Sequence, residues 1–285
     1  MKRHGRTRDL DIEMTPDALQ QVGEILRAAG RNELLPRFMT NHTLATRQKT
    51  SAFDIVTEAD EQCEVAIQRG LRGRFPEVLF IGEELAGKSA GWLDALSNAS
   101  AAFIVDPLDG TKNFAAGLPL FGIMAAYVER GIVMASAIHD PIRGDTAFAI
   151  RDQGAWMQDQ HGARVSLHVA APVEVASMEA IAGTAFLPEP LRSRMRANLD
   201  RLAMYTWLRC AAHEYRMAAA GHVHLLSYNR LMPWDHAAGW LLHREAGGYS
   251  AHFDGSDYLP SHTSGGLLCA PDKTSWLAAR SALLD

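Results

Sequence analysis

Residues 103–114 read FIVDPLDGTKNF. An apolar run delivers two carboxylates, Asp106 and Asp109, with Pro107 between them and Gly110 and Thr111 behind them. Two like charges brought close are costly unless a raised pKa or a cation neutralises them. Hard divalent ions such as Mg²⁺ take carboxylate and carbonyl oxygens at about 2.0–2.1 Å. A second apolar run, EVLFIGEE, ends in Glu83 and Glu84. Ligands of open α/β sheets gather at the C-terminal ends of strands, so these four acids are expected to converge on one crevice. The backbone N–H groups of Gly110 and Thr111 are expected to open a short helix, a seat for phosphate. A D-x-x-D pair alone is commonly a solvated turn or a helix cap. The strand before this one, the proline inside it and the Gly-Thr after it set it apart.

The elements that position these acids follow from periodicity and turn chemistry. Pro107 cannot donate to a ladder, so the strand is expected to stop at Asp106, and Gly110 permits a turn that most residues resist. Both acid-bearing strands are nearly all apolar, as strands covered on both faces are. Residues 16–29 carry helical apolar spacing at Leu19, Val22, Ile25 and Leu26, and Gly30 is read as the stop. Residues 31–53 read as irregular. Thr57 and Asp60 make a capping-type opening for a helix carrying Val65, Ile67 and Leu71. From Phe121 to Leu167, short strands separated by Gly-containing turns predict a meander of hairpins. From about Val173 onward strands and helices alternate. The order α/β, then meander, then α/β divides the chain near residue 170.

The bulk properties bound the function. A chain of 285 residues that is 47% hydrophobic and 21% charged builds a sizeable core. A net charge of −5 and no basic cluster argue against direct nucleic-acid binding. No apolar run reaches the ~18 residues that a membrane span needs. Cys63, Cys210 and Cys269 are far apart and odd in number. They support neither a disulfide framework nor a zinc site, and a reducing cytoplasm is the expected setting. The basic start MKRHGRTR has no apolar segment behind it and reads as a frayed terminus. There is no internal repeat.

DPLDGTKNF resembles the signature of the inositol monophosphatase family, Mg²⁺-dependent, lithium-sensitive phosphomonoesterases. Three further segments resemble that family's motifs in its order: FDIVTEAD (residues 53–60), FIGEE, and PWDHAAGWLLHREAGG (residues 233–248). On these residues the chain is identified as a member. The resemblance implies an α/β fold, the layered αβαβα sandwich of the inositol monophosphatase and fructose-1,6-bisphosphatase type, usually a homodimer. It assigns residues 1–170 to an N-terminal half with the large antiparallel sheet and most metal ligands. Residues 171–285 form a C-terminal half contributing Asp235 and the substrate-facing residues. It implies two to three Mg²⁺ per site, with Mn²⁺ as an alternative and Li⁺ as inhibitor. One ion takes Glu83, Asp106 and the Leu108 carbonyl; a second takes Asp106, Asp109 and Asp235; a weaker third uses Glu83. The implied reaction is hydrolysis of a small hydroxylated phosphate monoester by metal-activated water. Thr111 orients the water, with Asp54 as its hydrogen-bond partner and Glu83 alongside. Asp60 is read as a helix-start residue, and Lys49 matches the family's loop lysine in kind, at a shorter spacing.

Phosphate and substrate contacts are expected from Gly110, Thr111, Arg209, Cys210, Ala211, Tyr228 and Asp235. Two stretches depart from the family pattern. Many relatives have Gly-Ser/Thr-Ala-Ala where this chain has Arg209-Cys210-Ala211-Ala212, and inositol phosphatases typically carry a Glu where Tyr228 stands. A buried carboxylate rejects analogues that lack the right hydroxyls, and Tyr cannot do the same work, so the substrate is open. Inositol monophosphate is the family default; histidinol phosphate, a nucleoside 3′,5′-bisphosphate and a sugar bisphosphate are alternatives. A further alternative is a non-catalytic regulator, as some bacterial relatives are thought to act in antitermination. Cys210 is read as a small buried residue, not a nucleophile.

Overall fold

A computed structural model of the chain describes residues 13–40, 47–51, 54–89 and 91–285. Thr15 caps helix α1 (Pro16–Ala29): its hydroxyl accepts the Ala18 N–H at 3.2 Å, and Pro16 occupies the first turn, where a missing N–H costs nothing. Gly30 does not stop this helix as expected. Its φ of −57° is helical, and the chain runs through a π-helical turn (Gly30–Leu34) into α2 (Leu35–Thr40). Leu34 is fully buried, so continuing the helix adds an apolar anchor that a stop would forgo. Residues 31–40 are therefore helical, not irregular. The backbone next forms an antiparallel pair, β1 (Arg47–Ser51) and β2 (Asp54–Val56). Helix α3 (Glu58–Arg74) opens on a full capping box, with the Asp60 carboxylate accepting the Thr57 N–H at 2.8 Å.

Strand β3 (Leu79–Gly82) ends one residue before the paired glutamates, and Glu83 begins α4 (Glu83–Lys88). After α5 (Trp92–Asn98) comes the central strand β4 (Ala101–Asp109), buried along nearly its whole length. It does not stop at Asp106. The strand continues through Pro107 with a register irregularity between Asp106 and Asp109 opposite β5. A bulge leaves a residue unpaired, so the missing N–H of proline breaks no ladder bond there. The short helix α6 (Thr111–Ala115) follows. The meander is β5 (Gly122–Glu129), β6 (Ile132–Asp140), β7 (Asp145–Ile150), β8 (Gly154–Gln158) and β9 (Arg164–Ser166). All seven strands form one sheet, β3-β4-β5-β6-β7-β8-β9, antiparallel except for β3 beside β4.

Beyond residue 170 the chain builds β10 (Glu179–Ala182), α7 (Leu191–Asn198), β11 (Met204–Thr206), α8 (Ala211–Ala219), β12 (Leu225–Tyr228), α9 (Pro233–Glu245), β13 (Tyr249–Ala251), β14 (Leu267–Ala270) and α10 (Lys273–Leu284). The strands form a mixed five-stranded sheet, β11-β10-β12-β14-β13. Three apolar clusters hold five layers together, the central one filling both faces of the middle helix layer. Helices α1 and α3 pack on one face of the large sheet through Leu26, Ile67 and Phe103. Helices α8 and α9 lie between the two sheets through Tyr215, Leu241 and Ile104. Helices α7 and α10 cover the far face of the second sheet through Met195 and Trp276. This is the αβαβα order.

The α8–α9 layer is packed tightly. A Cβ added at Gly239 of α9 would lie 1.9 Å from the ring of Tyr215, which is itself fully buried. Overpacking costs about 1–3 kcal/mol, more than the roughly 1 kcal/mol that Ala gains over Gly in a helix. Gly239→Ala is expected to lower the thermal midpoint by several degrees. Gly73→Ala, at a helical position where an added Cβ meets nothing within 4 Å, is expected to raise it slightly; thermal unfolding of both variants checks the opposite signs.

Candidate active site

Three elements bring acids to one place. Asp106 sits in the bulged end of β4, buried to 2% exposure, and one of its oxygens accepts the Leu108 N–H at 2.9 Å. Glu83 is set by the start of α4. There the buried Glu64 of α3 accepts the Glu84 and Leu85 N–H groups at 2.8 and 3.0 Å, filling part of the unmet donor set of that helix end. Asp235 lies in the first turn of α9, behind Pro233, with Trp234 packed edge-on against Trp92 at 5.3 Å. One carboxylate oxygen of each of Glu83, Asp106 and Asp235 lies within 4.8 Å of the others.

Asp109 is outside that triplet. One of its oxygens is taken by the Ala212 N–H at 2.5 Å and by the Cys210 thiol at 3.1 Å. Gly110, at φ +88°, turns the chain sharply behind it, and a Cβ there would lie 2.7 Å from the Leu120 carbonyl. The Thr111 hydroxyl lies 3.0 Å from Asp60 Oδ1 and 3.0 Å from the Leu108 carbonyl oxygen. Asp60 thus caps α3 and also reaches into the site, which its helix-start reading did not include. Lys49 and Asp54 belong to β1 and β2, and their side chains lie outside the described residues.

These groups line a cavity of about 380 Å³. Glu83, Asp106, Leu108, Asp109, Gly110, Thr111 and Asp235 are in its wall. So are Arg209, Cys210, Ala211 and Tyr228. One further member has no counterpart in the sequence expectations. Glu214 of α8 is 2% exposed, lines the same cavity and accepts the Leu208 N–H at 3.1 Å. The signal for it is a carboxylate in the apolar run AAHEYRMAAA, one helical turn after Cys210.

The electrostatics are those of acids short of counter-charge. Burial pushes Asp106 well above the usual carboxylate range, and Glu83, Asp109 and Asp235 add to it. Asp60 and Asp109 are each raised to about 6, chiefly by burial. Glu214 is raised to about 8 by burial and then by the charge of Asp109. The Cys210 thiol is pushed up by burial and by Asp109, so it is held as a thiol that donates to that carboxylate. His236 and His243 are structural: His236 contacts the Tyr215 hydroxyl and the Arg230 carbonyl, His243 contacts Ser250 Oγ, and burial lowers both to about 4.

The donor set suits a hard divalent cation: oxygen atoms only, several carboxylates close together, and a buried Asp106 whose charge has no cationic partner among the described residues. The sequence pattern of the inositol monophosphatase family matches residues 15–283. The chain belongs to that family. It is 32% identical over 211 residues to the fructose-1,6-bisphosphatase/inositol-1-monophosphatase of Thermotoga maritima, covering 74% of this chain and 76% of that one. It is also 32% identical over 255 residues to the Nus factor SuhB of Xylella fastidiosa, covering 86% and 85%. Among solved structures, the extragenic suppressor protein suhB of Bartonella henselae superposes with a TM-score of 0.81 at 26% identity, covering 94% and 98%. The layered fold of this chain is that of the family.

The raised carboxyls make stability depend on pH in a stated direction. Glu214 ionises near 4.5 when unfolded and near 8 when folded. Between those values the native state holds the extra proton, so its contribution is full below about pH 4.5 and is lost as pH rises towards 8. Glu214→Gln removes this titration and can still accept the Leu208 N–H. In cation-free buffer its thermal midpoint relative to wild type is expected to climb steadily from pH 5 to pH 8. A difference that stays flat or falls over that range contradicts the burial of a protonatable Glu214.

Proposed function

We propose that the protein is a Mg²⁺-dependent phosphatase hydrolysing a small, hydroxylated phosphate monoester. The observation that carries this reading is the triplet Glu83, Asp106 and Asp235, oxygens within 4.8 Å of one another in the wall of a cavity that also holds Thr111 and the start of α8. Glu83, Asp106 and Asp235, with Asp109 and the Leu108 carbonyl beside them, would hold the cations. Bound there, Mg²⁺ screens the phosphate, stabilises the departing oxygen and makes a water more acidic.

The chain's own residues do the rest. Asp106, fixed through its Leu108 N–H bond, holds a carboxylate oxygen within 4.8 Å of those of Glu83 and Asp235. Asp60 and the Leu108 carbonyl fix the Thr111 hydroxyl, which is then placed to orient the attacking water. The backbone around Gly110 and Ala211 lines the space for the phosphate. No covalent protein intermediate is needed; positioning and charge stabilisation dominate phosphoryl transfer. Cys210, kept protonated, steadies Asp109 and attacks nothing. In the same reading the two halves meet near residue 170, and the protein works as a homodimer in the cytoplasm. Among the described residues no helix is long and apolar enough to cross a membrane.

A second reading, a regulatory binding protein of the same fold, is supported by the relatives named as Nus factors. The retained acids favour catalysis, because a purely regulatory protein gains nothing from burying carboxylates that repel one another.

Phosphate release tests this. With Mg²⁺, at least one of inositol 1-phosphate, histidinol phosphate, 3′-phosphoadenosine 5′-phosphate, fructose 1,6-bisphosphate and glycerol 2-phosphate is expected to turn over, with Li⁺ inhibiting. Asp106→Asn is expected to keep the fold and lose activity by at least about 10²–10³-fold. Mg²⁺ at 100 times its Kd should stabilise wild type by about 2.7 kcal/mol and leave Asp106→Asn nearly unmoved. Undiminished turnover in that variant would sink the assignment of the acids; no Mg²⁺-dependent release from any ester would favour the regulatory reading.

A further inference from the structure

Arg209 stands just before α8 with φ +58°, in the left-handed region that favours glycine. Its neighbours hold it there. The Leu208 N–H donates to Glu214, the Leu208 carbonyl accepts from Asn113 Nδ2 at 2.8 Å, and the Cys210 thiol is tied to Asp109. A non-glycine residue persists in such a conformation when its surroundings over-determine it, and such residues cluster where ligands bind. The turn presents Arg209 to the cavity, where it is exposed. Five carboxylates line that cavity: Glu83, Asp106, Asp109, Glu214 and Asp235. Arg209 pairs with none of them, and has no ion-pair or hydrogen-bond partner among the described residues. A guanidinium held apart from the acids is left to meet an anion that the ligand brings.

That anion is not the reacting phosphate. The acids are buried or half-buried, whereas Arg209 is exposed together with Trp207, at 44%, and Phe186, at 46%, in the same cavity wall. The cavity therefore has an acidic depth, with Lys112 half-buried in its wall, and an exposed rim where Arg209 and Arg230 stand with two aromatic rings. A substrate with its reacting phosphate at the acids extends its alcohol portion past that rim. We propose that Arg209 is a specificity-determining residue that binds a second anionic group, phosphate or carboxylate, on the alcohol portion of the substrate. This rests on the phosphatase reading and narrows its substrate class to phosphate monoesters with two anionic ends. Arg suits this task because its planar fork meets either anion with two parallel hydrogen bonds.

Matched pairs differing only in the second anion test it: 2-phosphoglycerate against glycerol 2-phosphate, and adenosine 3′,5′-bisphosphate against adenosine 3′-phosphate. The pairs also separate carboxylate from phosphate as the recognised group. With Mg²⁺, kcat/KM of wild type is expected to favour the two-anion member of at least one pair by roughly tenfold or more, the range of one charge-assisted hydrogen bond. Arg209→Gly, which fits the left-handed backbone, and Arg209→Ala should both narrow that preference to about twofold, and Arg209→Lys should keep part of it. No preference in wild type, an undiminished preference in Arg209→Gly, or an equal loss on both members of a pair overturns the proposal; the last would place Arg209 on the reacting phosphate. Absence of turnover with every ester defeats the phosphatase reading instead. Calorimetric binding of the same pairs in Mg²⁺ then decides the role of Arg209, and equal affinity within each pair overturns it.

Discussion

Carboxylates that share a buried space cannot all keep their charge without a cation, and the architecture around this cavity is arranged to hold them there regardless. Asp106 is the centre of that constraint. It lies in a strand sandwiched between two apolar cores, with Val105 packing to one side and Ile104 to the other. A side chain at such a position cannot swing to solvent to relieve repulsion. One of its oxygens is held by the Leu108 N–H, while Glu83 and Asp235 crowd it from nearby. The cost shows as a pKa pushed far up, and the proposed Mg²⁺ would return it by favouring the ionised form. Stability is traded locally for a site pre-shaped to bind a cation.

The end of β4, helix α6 and the start of α8 are joined at that same place. The Ala212 N–H, at the start of α8, donates to Asp109 at the end of β4, and Asn113 of α6 donates to the Leu208 carbonyl. Asn113 also donates to the Leu120 carbonyl, so one amide ties the β4–β5 connection to the turn before α8. These bonds are buried or part-buried, where a hydrogen bond is harder to break without leaving an unmet polar group. The tight fit of Gly239 against Tyr215 fixes α9 relative to α8, and with it Asp235 relative to Arg209. The geometry of the cavity is thereby set in part by packing within the helix layer that carries its Asp235 and Glu214.

What was legible in the sequence follows from the range of the forces involved. The strand in FIVDPLDG, the capping box at Thr57 and Asp60 and the hairpins after Phe121 are local signals, and the structure contains all three. The fold family was carried by four motifs in order. The misreadings are also local. Gly30 looks like a stop because glycine commonly ends helices, yet tertiary burial of Leu34 carries the helix onward. Pro107 looks like a strand end, yet a bulge accommodates it. The Asp60–Thr111 contact joins residues 51 apart, and no sequence pattern specifies which acid of FDIVTEAD meets the Thr111 hydroxyl.

Tyr228 shows how a loss read from sequence is altered in three dimensions. A tyrosine at the end of β12, where the family resemblance leads one to expect a glutamate, reads from sequence as a lost carboxylate. The fold places Glu214 of α8 in the same cavity, and burial together with the Glu214 charge holds the Tyr228 phenol protonated. This region therefore still holds a carboxyl group, on helix α8, and it braces the turn that carries Arg209. A carboxylate engaged in holding a backbone N–H has less capacity to accept from substrate hydroxyls. The cation it positions gains a fixed place at the rim. The proposed reading of charge by this cavity thus depends on where one glutamate sits relative to one left-handed arginine.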